Sequence, residues 1–212
     1  MYPTAEVRWF IRGTIPPEVD AWFRRGPGRV NKEPVRTDRY LQLRGSEGLN
    51  VKMREGLIEI KQRVGPVDVV RFHERVRGLV EQWRKWRFQL AGPDAARSET
   101  DAFSWVAVRK DRRLRTYRVT GEKEVVVLSD AEVPASGCEL ELTAVRMAGR
   151  AWWTVALEAF GDTSALRDNL FFTAQHVFHG DDTPAFKAAD SRGYAAWLDV
   201  MAGQEDKGSW ED

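Results

Sequence analysis

The chain contains a single cysteine, Cys138, and three histidines, His73, His176 and His179. One cysteine excludes an intramolecular disulfide framework and any zinc site built from cysteines. Cys138 alternates with Leu140 and Leu142, so it reads as part of an apolar strand face rather than as a nucleophile. His176 and His179 stand at helical spacing just before Gly180, a position where histidine commonly serves the helix dipole, so they are given no metal role, and His73 none at all. No apolar run approaches 18 residues, and Glu6, Arg8 and Arg12 place charge near the start. The expectation is a soluble, cytoplasmic chain with neither a transmembrane span nor a secretory signal. Glycine loops of the Walker or dinucleotide type are absent, as is a serine in a nucleophile elbow, so kinase, Rossmann and serine-hydrolase readings lack support. No repeat of 20 to 50 residues suggests a solenoid.

Net charge is also nearly absent, with 33 Lys+Arg against 32 Asp+Glu, but that balance hides an asymmetry. Residues 1–128 hold 27 basic and 17 acidic side chains, and residues 129–212 hold 6 and 15. With 42% hydrophobic and 11% aromatic residues, 212 residues bury a sizeable core and fit one domain, expected over 1–202 with a polar tail at 203–212.

What is present in quantity is alternation of period two, the mark of strands. It runs through 5–12, 40–43, 49–54 and 57–63, the last two joined by the turn-forming Glu55-Gly56, and again through 103–110, 114–119, 124–128, 138–145 and 151–160. Residues 69–90 satisfy both periods in part and are read as two strands. Helical spacing appears at 15–25, opened by Pro16-Pro17, at 164–178 and at 194–201, while 93–101 reads as a polar loop. Eight or more short-linked strands with few helices predict a mainly β, α+β fold: a closed antiparallel eight-stranded tunnel barrel with helices packed outside.

The alternation sorts charge by strand. Asn50, Lys52 and Arg54 share one face, and Glu59, Lys61 and Arg63 share the next. Glu139, Glu141 and Thr143 stand together, as do Trp152, Thr154 and Glu158. Solvated faces usually mix signs. Cations facing carboxylates across a barrel interior suit a phosphate chain and a hard divalent metal. Trp152, on the face of Glu158, would floor the interior or stack on a ligand, whereas Trp9, Trp22, Trp153 and Trp197 fall on apolar faces as core. The basic run Arg109 to Arg118 and the interleaved Trp83-Arg-Lys-Trp86-Arg-Phe88 could serve nucleic acid. The sequence pI of about 7.9 argues against a dedicated binder.

The run Leu49-Asn-Val-Lys-Met-Arg-Glu-Gly-Leu-Ile-Glu-Ile-Lys61 resembles the CYTH superfamily, the triphosphate tunnel metalloenzymes. The resemblance extends to Val108-Arg-Lys-Asp-Arg112, the Glu139/Glu141 pair, Ala156-Leu157-Glu158 and the closing Ser191-Arg-Gly-Tyr-Ala-Ala-Trp-Leu198, in family order. It implies divalent-metal-dependent hydrolysis of a triphosphate-containing small molecule, such as inorganic tripolyphosphate or a nucleoside or thiamine triphosphate. Lys52, Arg54 and Lys61 would act on the phosphates, Arg8, Asn50, Arg63, Arg109, Arg113 and Arg115 would help bind them, and Glu6, Glu139, Glu141 and Glu158 would hold Mg²⁺ or Mn²⁺. The partner would be a triphosphate or polyphosphate, with no membrane, and the chain a monomer or homodimer. Thr4, Arg8, Asn50 and Ala156 depart from the family pattern. The alternative is therefore a catalytically degenerate tunnel that binds nucleotide or polyphosphate as a sensing module.

Overall fold

A computed structural model describes residues 1–90, 104–128 and 134–205. Its strands are β1 (Tyr2–Arg12), β2 (Asn31–Lys32), β3 (Arg36–Leu41), β4 (Leu49–Arg54), β5 (Leu57–His73), β6 (Val76–Gln89), β7 (Trp105–Val119), β8 (Val125–Val127), β9 (Gly137–Met147) and β10 (Arg150–Phe160). Its helices are α1 (Pro17–Arg25), α2 (Leu166–Val177) and α3 (Tyr194–Glu205). Eight strands pair antiparallel in the order β7-β3-β4-β5-β6-β1-β10-β9, and β9 pairs back to β7 to close the barrel. The two short strands β2 and β8 extend the β7 edge beyond β3.

The hairpin links follow from local chemistry. Glu55-Gly56 and Ala148-Gly149 both place two consecutive residues at positive φ, the geometry whose twist matches antiparallel strands. Two expectations change. The charged stretch 111–113 does not break a strand: β7 runs unbroken through it, because Asp111 and Arg113 point outward to Lys32 and Asp20 while Arg112 points inward to Glu33 and Glu141. Nor does the last helix stop before residue 203, since α3 continues to Glu205. The ambiguous 69–90 resolves as the end of β5 and all of β6, joined at Glu74-Arg75. The loop expected at 93–101 and the tail from 206 lie outside the described residues.

Two apolar clusters do different jobs. The first lies on the barrel's outer wall. The outward residues Val7 and Trp9 of β1, Leu140 and Leu142 of β9, and Val155 and Leu157 of β10 pack under α1 and α2. Each side chain buried in this way stabilises the fold by about 1.5–3 kcal/mol. α1 begins with Pro17 at its first turn, has Glu18 and Asp20 there and Arg24 and Arg25 in its last turn, and buries Val19, Trp22 and Phe23. Each of those placements favours the helix and its dipole. Arg115, 2% exposed, donates to the carbonyls of Phe23, Arg24, Pro27 and Gly28 and so satisfies the helix end. α2 buries Leu166, Asn169, Leu170, Thr173 and Ala174, a stripe of three- and four-residue spacing.

The second cluster lies inside the barrel. Phe10, Tyr40, Val108, Val145 and Met147 point inward at one end and pack against Trp197, Leu198 and Met201 of α3. Phe10 stacks on Trp197 at 4.6 Å, and Tyr40 stacks on Tyr194 at 5.3 Å. This plug closes one end of the barrel. Trp152 belongs to it, edge-on to Trp197 at 5.8 Å, and so does not stand among the charged residues. Among the described residues, no helix is long and apolar enough to cross a membrane.

Candidate functional site

Strand pairing converts the sequence alternation into charged rows facing one cavity of about 740 Å³. Across β4, β5 and β6 run Lys52–Glu59–Arg87 and, one step deeper, Asn50–Lys61–Lys85. Across β6, β1, β10 and β9 run Glu81–Glu6–Glu158–Glu139 in direct register, of which the last three line the cavity and Glu81 does not. Like charges opposed in this way repel one another, so the row requires cations from elsewhere. The cavity is lined by Arg8, Arg36, Lys52, Arg54, Lys61, Lys85, Arg87, Lys110 and Arg112 against Glu6, Glu33, Glu59, Glu139, Glu141, Glu158 and Asp162. Tyr2, Pro3, Phe160 and Gly161, from the strand ends opposite the plug, line its mouth.

Nearly every one of these charges is neutralised in place. Lys61 Nζ lies 3.1 Å from both Glu6 and Glu158, and Lys85 lies 3.5 Å from Glu158. Lys52 and Arg87 each lie 3.0 Å from Glu59. Glu141 accepts from Arg8 at 2.5 Å, Arg112 at 2.8 Å and Thr143 at 2.7 Å. Near the plug, Lys110 lies 3.0 Å from the fully buried Asp38, donates to Tyr40 and sits 3.8 Å from the centre of the Tyr194 ring.

The protonation equilibria follow from burial and these partners. Burial alone would raise the carboxyls of Glu158 and Glu141, but Lys61 and Lys85 for the first, and Arg112 and Arg8 for the second, hold both well below the usual carboxylate range. Glu139 goes the other way: burial and neighbouring Glu158 push it up to about 7. Burial and Glu6 likewise push Glu81 up to about 7, against Arg63. Burial lowers Lys110 to about 7, with Asp38 opposing.

Of the residues proposed from sequence, Glu6, Arg8, Asn50, Lys52, Arg54, Lys61, Glu139, Glu141 and Glu158 come together around the cavity. Arg109, Arg113 and Arg115 do not: they occupy the outward face of β7, where Arg113 pairs with Asp20 at 2.5 Å, Arg115 clamps α1, and Arg109 is exposed. The inward cations of that strand are Lys110 and Arg112. Arg63 does not line the cavity either, because Glu81 holds it at 3.0 Å. Sequence reasoning missed Glu33, Arg36, Tyr40, Glu81, Lys85, Arg87 and Tyr194. Glu81, Lys85 and Arg87 alternate on β6 and would have emerged from a firm period-two reading of 69–90.

Whether these carboxylates suit a divalent metal is tested by Glu139. Its carboxylate faces the cavity, makes no ion pair or hydrogen bond with any described residue, and is destabilised as an anion by burial and by Glu158, against the attraction of Arg112. An added hard cation relieves that cost, and all-oxygen donors are what Mg²⁺ or Mn²⁺ take. Among the described residues, no three such side chains already converge on a single point. Glu6 and Glu158 are turned toward Lys61, and Glu141 is saturated by two arginines. The carboxylates that could hold such an ion are thus Glu139 with Glu158 and Glu6, of which Glu6 and Glu158 are engaged by Lys61 and Glu158 also by Lys85. Compared with known proteins, the chain matches no protein-family model and no curated protein sequence.

Proposed function

We propose that this chain is a divergent relative of the CYTH triphosphate tunnel metalloenzymes, and that its barrel binds a triphosphate-containing small molecule and hydrolyses it in the cytoplasm with Mg²⁺ or Mn²⁺. The observation that carries this reading is the inward-facing basic wall of Lys52, Arg54, Lys61, Lys85 and Arg87, set opposite a carboxylate row within one closed barrel. An eight-stranded barrel is about wide enough to hold one small ligand, and a phosphate chain is the ligand that needs this many cations at once.

In this mechanism the chain's own residues do mainly positioning and charge neutralisation. Lys52, Lys61 and Lys85 bind phosphate oxygens, and Arg54 and Arg87 hold the end nearer the mouth. Arg8 and Arg112, fixed by Glu141, keep positive potential on the deeper side of the cavity. Glu139, Glu158 and Glu6 would hold the metal, whose contribution when bound is to polarise a phosphoryl oxygen and activate water. Closure of the far end by the plug excludes bulk water from one side, which strengthens each of these interactions.

A second reading, a polyphosphate-binding module without turnover, is favoured by the saturation of Glu141. One of the expected metal ligands is thereby replaced by a structural triad with Arg8 and Arg112. Phosphate release from tripolyphosphate, ATP and thiamine triphosphate with Mg²⁺ or Mn²⁺ separates the two. Release that is lost in Lys61→Ala and Glu158→Ala supports hydrolysis, while thermal stabilisation by tripolyphosphate without release supports binding alone. A melting temperature indifferent to every one of these compounds eliminates both.

A further inference from the structure

The row Lys52–Glu59–Arg87 contains an anomaly. Among the cavity-lining residues of β4, β5 and β6, Glu59 is the single acidic one. It sits midway between two cations, one carboxylate oxygen 3.0 Å from Lys52 Nζ and the other 3.0 Å from Arg87 Nε. Burial alone would raise its pKa, but Lys52, Lys85 and Lys61 outweigh burial and hold it at about 2, so it is charged at any physiological pH. A carboxylate bridging two cations of a phosphate-binding wall occupies the place and the charge of a phosphate oxygen. Of the two Glu59 contacts the one to Arg87 lies nearer solvent, since the Arg87 side chain is 52% exposed, against 16% for Lys52.

We propose that Glu59 is an internal competitor for the ligand: in the empty barrel it occupies Lys52 and Arg87, and an incoming phosphate chain must displace it to reach them. The inference rests on the reading of the cavity as a polyanion site. A small anion that displaces Glu59 exchanges one pair of contacts for an equivalent pair and gains little. A longer phosphate chain also reaches Lys61, Lys85 and Arg54, and those extra contacts drive the exchange. Glu59 thereby sets the charge a ligand must carry in order to bind. A merely structural Glu59 predicts the opposite sign for its removal, because loss of a buried ion-pair partner disorders the wall.

The experiment is titration calorimetry with tripolyphosphate in metal-free buffer on the wild-type chain, Glu59→Gln and Lys52→Ala. Glu59→Gln is expected to bind at least about tenfold more tightly than wild type, the equivalent of about 1.4 kcal/mol, and Lys52→Ala more weakly. Equal or weaker binding by Glu59→Gln while the wild type binds overturns the competitor role and leaves the polyanion site standing. Absence of binding in all three overturns the site and the inference with it. Should Glu59→Gln fail to fold, Glu59→Asp decides: it keeps the charge but is too short to bridge both cations, so tighter binding than wild type supports the proposal and equal or weaker binding overturns it.

Discussion

Replacing Glu141 by glutamine measures how dry the barrel interior is. Glu141 is 6% exposed and accepts from Arg8, Arg112 and Thr143, all within 2.8 Å. The amide keeps the shape and removes the charge, leaving two guanidinium groups against a neutral oxygen. Arg112 retains Glu33 at 3.1 Å, but Arg8, 4% exposed, keeps among the described residues no ion pair, only the neutral Thr154 hydroxyl at 3.2 Å and the face of the Tyr194 ring at 5.1 Å. Removing one partner of a buried pair costs about 3–5 kcal/mol, and the retained Glu33 contact puts this case near the lower figure. An unfolding entropy of about 2.1 cal/mol/K per residue gives about 0.45 kcal/mol/K for this chain, so Tm should fall by about 7 °C. The control is Asp182→Asn, which breaks the Arg25 pair whose side chains are both 58% exposed. A surface pair of that kind is worth at most about 1 kcal/mol, or about 2 °C. Scanning calorimetry on both variants at neutral pH and low salt settles the point. Equal losses would mean that water screens the interior charges as well as it screens the surface, and that the barrel interior is not the low-dielectric site described by its burial.

Three further outcomes are expected. The carboxyls of Glu81 and Glu139 stand at about 7 in the fold, above the unfolded value. Between about pH 4.3 and about pH 7 the native chain therefore binds more protons than the unfolded chain, and this contribution to stability is lost as pH rises. Glu139→Gln should accordingly gain stability relative to wild type on going from about pH 5 to about pH 7.5 in thermal melts, and a pH-independent difference refutes the assignment. Mg²⁺ or Mn²⁺ at a hundredfold excess over Kd should raise the wild-type Tm by about 6 °C, an effect that EDTA reverses and Glu139→Gln lacks; an equal rise in the variant places the metal elsewhere. Gly137→Ala would bring a methyl to 2.3 Å from the Tyr117 carbonyl oxygen on the β7–β9 seam. It should lower the urea midpoint by the equivalent of about 1–3 kcal/mol, and an unchanged midpoint would mean that the seam has room for a methyl.

The barrel was legible wherever one strand face is apolar and the other is not. β1, β9 and β10 declare themselves because Val7, Leu140 and Val155 alternate with charged or polar residues, and Glu55-Gly56 announces its own turn. β7 shows where that logic stops. Both of its faces are charged, so parity alone does not say whether Lys110 and Arg112 or Arg109, Arg113 and Arg115 look inward. The answer lies in distant partners: Asp20 takes Arg113 and the carbonyls at the end of α1 take Arg115, while Glu33, Asp38 and Glu141 take Lys110 and Arg112. Trp152 has two roles open to it in the sequence, floor or ligand platform, and its packing on Trp197 makes it part of the floor. Its face was read correctly, but the depth at which α3 fills the barrel is a tertiary fact. Glu59 shared a face with Lys61 in the sequence, yet its grip on two cations emerges only when β4 and β6 are laid on either side.

Among the described residues, the plug of Phe10, Trp152 and Trp197 fills one end of the barrel, and the cavity opens at the other, beside Tyr2 and Phe160. On the proposed function, a ligand entering at Tyr2 and Phe160 would leave the same way, and any product would have to clear the mouth before the next molecule entered. A long phosphate polymer cannot be threaded through such a barrel. Only its terminus can be inserted, and any chain shortening would therefore proceed from the ends rather than by internal cuts.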